Sequence, residues 1–130
     1  MTRARVFKVV LVLVGLLFSA GIYPLVTSVR SGGTANNDDS VPMMLSLYVT
    51  LGIFLLLAAR NPSANRSVIA FAAWSSLAHA AVMAAMAVHL ANERQDLLVA
   101  GAVFSVIGVT LILLAPAKES VARELFAPQR

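Results

Sequence analysis

The chain has 130 residues, of which 59% are hydrophobic and 12% charged, with a net charge of +4 and a mean hydropathy of +0.84. A soluble domain is about half apolar and a quarter charged, so this balance points to a membrane protein instead. With no cysteine in the chain, disulfides, iron–sulfur clusters and thiolate zinc sites are excluded. The basic residues bracket apolar tracts and form no continuous face for nucleic acid.

A helix needs about 20 apolar residues to cross the roughly 30 Å hydrocarbon core of a bilayer. The first tract of that kind covers residues 6–26. Lys8 near its start can snorkel to the headgroups, while Tyr23 and Pro24 suit the far boundary. Met1 to Arg5 resembles the basic start of a signal peptide, and Ser19-Ala20-Gly21 offers small residues. The apolar run nevertheless continues through Ile22, Leu25 and Val26, longer than a signal's apolar region, so the tract reads as a span.

A connection follows with Gly32, Gly33, Asn36 and Asn37, which favour turns. Its acids Asp38 and Asp39 precede Ser40, which is placed to cap the second span, residues 42–59, with Pro42 in the first turn. Paired acids could serve as a docking loop, but a solvated linker with a helix cap explains them more simply. Next come Arg60-Asn61-Pro62-Ser63-Ala64-Asn65-Arg66, a tight turn whose Asn65-Arg66-Ser67 matches a glycosylation sequon by three residues alone. The third span is residues 67–90 and the fourth residues 97–115, stopping at Pro116. Apart from Lys8, no span contains Asp, Glu, Lys or Arg. Residues 117–126 place Val121, Leu125 and Phe126 beside Lys118 and Arg123, the pattern of a short amphipathic helix at the interface.

Of the ten lysines and arginines, only Arg30 and Arg94 fall on one side of this arrangement. The side holding the others should be cytoplasmic, with both chain ends there. The expected fold is therefore all-α, a single domain over 1–130 formed by a four-helix transmembrane bundle.

Small residues recur at four-residue spacing: Ala72, Ser76, Ala80 and Ala84 on the third span, Gly15 and Ser19 on the first, Gly101 and Ser105 on the fourth. Such spacing lets helix backbones approach closely in lipid, where packing drives association. It predicts a compact bundle, with contacts either internal or to another chain.

His79 is the one ionisable residue well inside a span, which makes it a candidate site by default. Helical spacing puts Ser75 and Ser76 a turn before it and Met83 and Met86 one and two turns after. His79 could ligate haem or copper with a methionine nearby, or relay a proton. More simply, it could hydrogen-bond to a serine or to Tyr48 and hold the bundle together, with the methionines as packing residues. A single histidine would need a symmetric dimer for a bis-histidine haem. His89 reads as an interfacial residue.

No nucleophile–base pair, paired carboxylate, phosphate-cradling loop or zinc-protease helix is present, so no enzyme is expected. The spans also lack the intramembrane acid of small multidrug-resistance transporters. The stretch Leu51-Gly52-Ile53-Phe54-Leu55-Leu56-Leu57-Ala58-Ala59-Arg60-Asn61-Pro62, with Asn65-Arg66-Ser67, Trp74-Ser75-Ser76 and His79-Ala80, resembles an uncharacterised family of small bacterial four-span membrane proteins. That resemblance implies a bacterial inner-membrane location and no activity, and it draws attention to the segment from Trp74 to His79. The expected role is an accessory or assembly component acting through helix–helix contacts, as a homo-oligomer or within a larger membrane complex, with the bilayer as its surroundings and no bound cofactor. The alternatives are a haem, metal or proton site at His79 and a small-solute transporter or channel formed by an oligomer.

Overall fold

A computed structural model describes residues 2–32, 40–116 and 128, and the described residues are helical with no strand. Five helices follow in order: α1 (Arg3–Ser19), α2 (Ile22–Arg30), α3 (Ser40–Ala58), α4 (Arg66–His89) and α5 (Arg94–Leu114). Taking α1 and α2 as one stretch, four helical segments are long and apolar enough to cross a membrane: Arg3–Arg30, Ser40–Ala58, Arg66–His89 and Arg94–Leu114. The expected interfacial helix at 117–126 and the acids Asp38 and Asp39 lie outside the described residues.

The helix ends follow local chemistry. Thr2 caps α1, its hydroxyl oxygen accepting from the Arg5 N–H at 3.4 Å. The first stretch does not stop near Val26 as its proline suggests, but breaks at Ala20 and Gly21 and resumes to Arg30. Pro24 falls in the first turn of α2, where a missing N–H costs little. The carbonyl of Ala20 takes instead the N–H of Tyr23 at 3.3 Å.

In the turn before α4, the Asn61 side-chain oxygen accepts from the Ser63 hydroxyl at 3.0 Å and the Ala64 N–H at 3.3 Å. This Asx turn explains how so short a connection reverses the chain. The start of α5, at Arg94, comes earlier than the apolar pattern indicates, because Arg94, Gln95 and Asp96 are its polar first turn. Asp96 there complements the helix dipole. Arg94 Nε donates to the Ala87 carbonyl at 2.9 Å, satisfying an open group at the end of α4. At the other end Ala115 is extended (ψ 137°), as the residue before Pro116 must be, and α5 stops.

Packing joins the helices chiefly as two pairs, α1 with α3 and α4 with α5. A Cβ added at Gly52 on α3 would lie 2.6 Å from the Ser19 backbone nitrogen and 2.8 Å from the Gly15 carbonyl oxygen on α1. Only glycine permits that approach. On α5, a Cβ at Gly108 would lie 2.7 Å from Leu77 Cγ and 2.9 Å from the Ala73 carbonyl oxygen on α4. Close backbone contact of this kind is how helices associate in lipid.

The two pairs share one core, built from Phe7, Leu11, Val14 and Phe18 of α1, Leu55, Ala58 and Ala59 at the end of α3, Ile69, Ala72 and Ala73 of α4, and Ile107 and Leu111 of α5. It therefore occupies the half of the bundle nearest the start of α1 and the end of α5. In the other half α2 buries no side chain and packs chiefly on α3, and no residue of α3 before Val49 is buried.

Candidate functional site

The shared core ends on a cluster of four rings, one from each long helix: Phe18 (α1), Tyr48 (α3), His79 (α4) and Phe104 (α5). The His79 ring centre lies 4.6 Å from that of Phe104 and 5.3 Å from that of Tyr48, both edge-on. Tyr48 meets Phe18 at 5.1 Å, also edge-on, and Phe104 at 5.3 Å. Phe18 and Phe104 stack at 5.9 Å. Edge-to-face geometry brings the positive rim of one ring onto the negative face of another, a favoured arrangement.

The rings converge because α4 turns a continuous inner face toward its neighbours. Ile69, Ala72, Ala73, Ser76, Ala80 and Ala87 are buried along it, with His79 and Met83 half-buried beside it. Ala84, expected to continue the row of small residues, is exposed. Each four-residue step overshoots a full turn by about 40°, so three steps from Ala72 rotate Ala84 off the inner face. Ala87 takes its place at a seven-residue spacing from Ala80.

His79 has a different surrounding from the one that its neighbouring serines suggest. Ser76 donates its hydroxyl to the Ala72 carbonyl at 2.7 Å, and Ser75 donates to the same carbonyl at 3.2 Å. Both bonds stay within the helix, the usual outlet for a serine in an apolar span. His79 Nε2 is buried with no hydrogen-bond partner among the described residues, and so is the Ser19 hydroxyl, which lies against Gly52. Tyr48 touches His79 through its ring.

The other candidates disperse. Ser75 and Tyr48 share an apolar groove of about 490 Å³ between α3 and α4, walled by Leu51, Phe54, Val68 and Phe71. Met83 points toward Gly101, where an added Cβ would sit 3.6 Å from its own Cβ. Met86 is exposed, and Trp74 is 65% exposed on the outer side of α4. Ser105 is half-buried and donates to the Gly101 carbonyl at 2.9 Å.

Sequence reasoning missed Phe18 and Phe104, which complete the ring cluster, and Gly52 and Gly108, which carry the two close helix crossings. A signal for one of them was present: Gly101 and Gly108 stand seven apart, two turns on one face of α5.

A model for a family of unknown function, DUF6632, matches residues 1–123. No curated protein and no solved structure matches the chain. The chain belongs to the DUF6632 family, which brings no assigned activity with it.

Proposed function

We propose that this protein is a non-enzymatic accessory component of a bacterial inner-membrane assembly, acting through helix–helix contacts made by the outer face of α4. The observation that carries this reading is the makeup of that face. Ala70, Trp74, Ala78, Ala81 and Ala85 lie along it and are exposed, and Ala84 borders it. Bulky Phe71, Val82 and Val88 flank or end this row on α4, and elsewhere the outward residues are mostly bulky: Leu13, Leu16 and Leu17 on α1, Ile53, Phe54 and Leu57 on α3, Val106 and Leu113 on α5. Lipid tails are satisfied by such bulk. A row of alanines offers lipid little contact but lets a second helix come close, which is where association in a bilayer gains its packing energy. The inner small residues are already used within the chain, so the outer ones are free for another helix, from a second copy or a different protein.

Charge supports the orientation. Arg3, Arg5, Lys8, Arg60 and Arg66 gather at the end of the bundle where α1 begins, with Arg30 and Arg94 at the other. That bias favours the first end as cytoplasmic. The test is cysteine cross-linking in native membranes, in a chain that has no cysteine of its own. Ala85→Cys should cross-link to a second chain, and Leu113→Cys on α5 should not. Equal or absent cross-linking at both positions would remove this reading.

A second reading places a proton or cofactor function at His79, supported by its unpartnered Nε2. Nε2 itself is buried against the Tyr48 and Phe104 rings, which leaves little room for haem or copper at that nitrogen. His79→Ala would abolish an associated cofactor or proton flux if this second reading holds, and would leave both unchanged under the first.

A further inference from the structure

We infer that the end of the bundle where α1 begins carries a binding site for the headgroup of an anionic phospholipid. The start of α1, the turn between α3 and α4, and the end of α5 line an open cavity of about 460 Å³ there. Arg3, Lys8 and Arg60 line it from two separate segments, together with Ser63. Among the described residues, no Asp or Glu lines it and no ion pair to Lys8 or Arg60 is present. Three cations lining one site with no carboxylate beside them among the described residues repel one another, and an anion bound there relieves that repulsion.

The shape of the cavity commits it to a lipid. Its inner wall is apolar, made of Phe7, which is 3% exposed, with Leu114 and Pro116. A basic rim over an apolar wall at the end of membrane-length helices matches a phosphate at the interface with its acyl chains alongside the helices. Arg3 is held in place because it donates to the Leu113 carbonyl at 2.6 Å, closing the last turn of α5. That bond uses one of its five donors and leaves others facing the cavity. The three positive charges suit headgroups carrying two negative charges better than those carrying one.

The experiment uses the full-length protein in detergent, equilibrated separately with a diphosphate phospholipid, phosphatidylglycerol and phosphatidylcholine. Retained lipid per chain is read by mass spectrometry after detergent exchange. The expected order is diphosphate lipid, then phosphatidylglycerol, then phosphatidylcholine. Lys8→Gln with Arg60→Gln should lower retention of the diphosphate lipid at least about tenfold, from about 1 kcal/mol per interfacial cation. This pair leaves the Arg3 bond to α5 untouched, and Lys8→Arg with Arg60→Lys should restore retention, separating charge from misfolding. Arg30→Gln at the opposite end should change nothing. Equal retention of phosphatidylcholine, an equal loss in Arg30→Gln, or displacement of the lipid by an equal concentration of free pyrophosphate would each overturn the proposal, the last by making the site one for soluble phosphate.

Discussion

His79 illustrates how a residue type can suggest a site that its surroundings redefine. A histidine inside an apolar span invites a ligand, and its neighbours Ser75 and Ser76 invite a hydrogen bond. Both serines bond to the Ala72 carbonyl on their own helix instead, and His79 sits edge-on to Tyr48 and Phe104 with Nε2 unpartnered. A buried polar group left unpaired costs about 1–3 kcal/mol. His79→Phe, which keeps a ring in the cluster and removes that cost, should leave thermal unfolding in detergent unchanged or raise its midpoint. His79→Ala opens a gap among the rings and should lower stability by about 2–4 kcal/mol. A marked loss on His79→Phe would show that the imidazole nitrogen makes a bond essential to the fold. Ser76 is fully buried but bonds only to its own helix, so Ser76→Ala should cost less than about 1 kcal/mol, and Ser76→Leu should disrupt the α4 packing. The residue type of His79 was legible in the sequence, but its partners were not. Phe18 and Phe104 come from helices far away in the chain, and no local spacing connects them to α4.

At the scale of elements, two glycines fix how the helices cross. Gly15 was visible as a packing residue, and it faces Gly52, whose added Cβ would press into the α1 backbone at 2.6 Å. Backbone cannot rotate aside as a side chain can, so Gly52→Ala should force the α1–α3 pair apart and cost about 1–3 kcal/mol. At Gly108 the two nearest atoms are flexible Leu77 carbons at 2.7 and 2.8 Å, and only the Ala73 carbonyl oxygen at 2.9 Å is backbone. Gly108→Ala should therefore cost somewhat less than Gly52→Ala, which meets two backbone atoms at 2.6 and 2.8 Å. Gly101→Ala meets only atoms at 3.6 Å and should be neutral or slightly stabilising, given alanine's better helix propensity. Unfolding midpoints in detergent test that order, and an equal cost at Gly52 and Gly101 would contradict the crossing geometry. The existence of the helices was legible because long uncharged tracts admit few other structures. Their ends were less so. The polar first turn of α5 does not register as apolar, and Pro24 reads as a stop although it begins a new helix. The four-residue row through Ala84 failed for a geometric reason, since the helix period is 3.6 and the row drifts around the cylinder.

At the scale of the whole molecule, the bundle presents two different outer regions: bulky apolar surfaces suited to lipid, and the alanine face of α4 suited to another helix. The start of α1 and the end of α5 lie together, since Arg3 reaches Leu113. The orientation proposed from charge predicts that in intact spheroplasts Ala91→Cys, between α4 and α5, reacts with a membrane-impermeant maleimide. Ser63→Cys, between α3 and α4, should react only after permeabilisation. The reverse pattern would invert the proposed topology. The central claim is that the α4 face meets a partner, and native mass spectrometry of the protein, extracted gently from its own membrane, tests it most directly. The account predicts a mass corresponding to several copies or to this chain with a second protein, reduced to a single chain by Ala81→Leu with Ala85→Leu. A single chain in the unaltered protein, with lipid as its only companion, would contradict it.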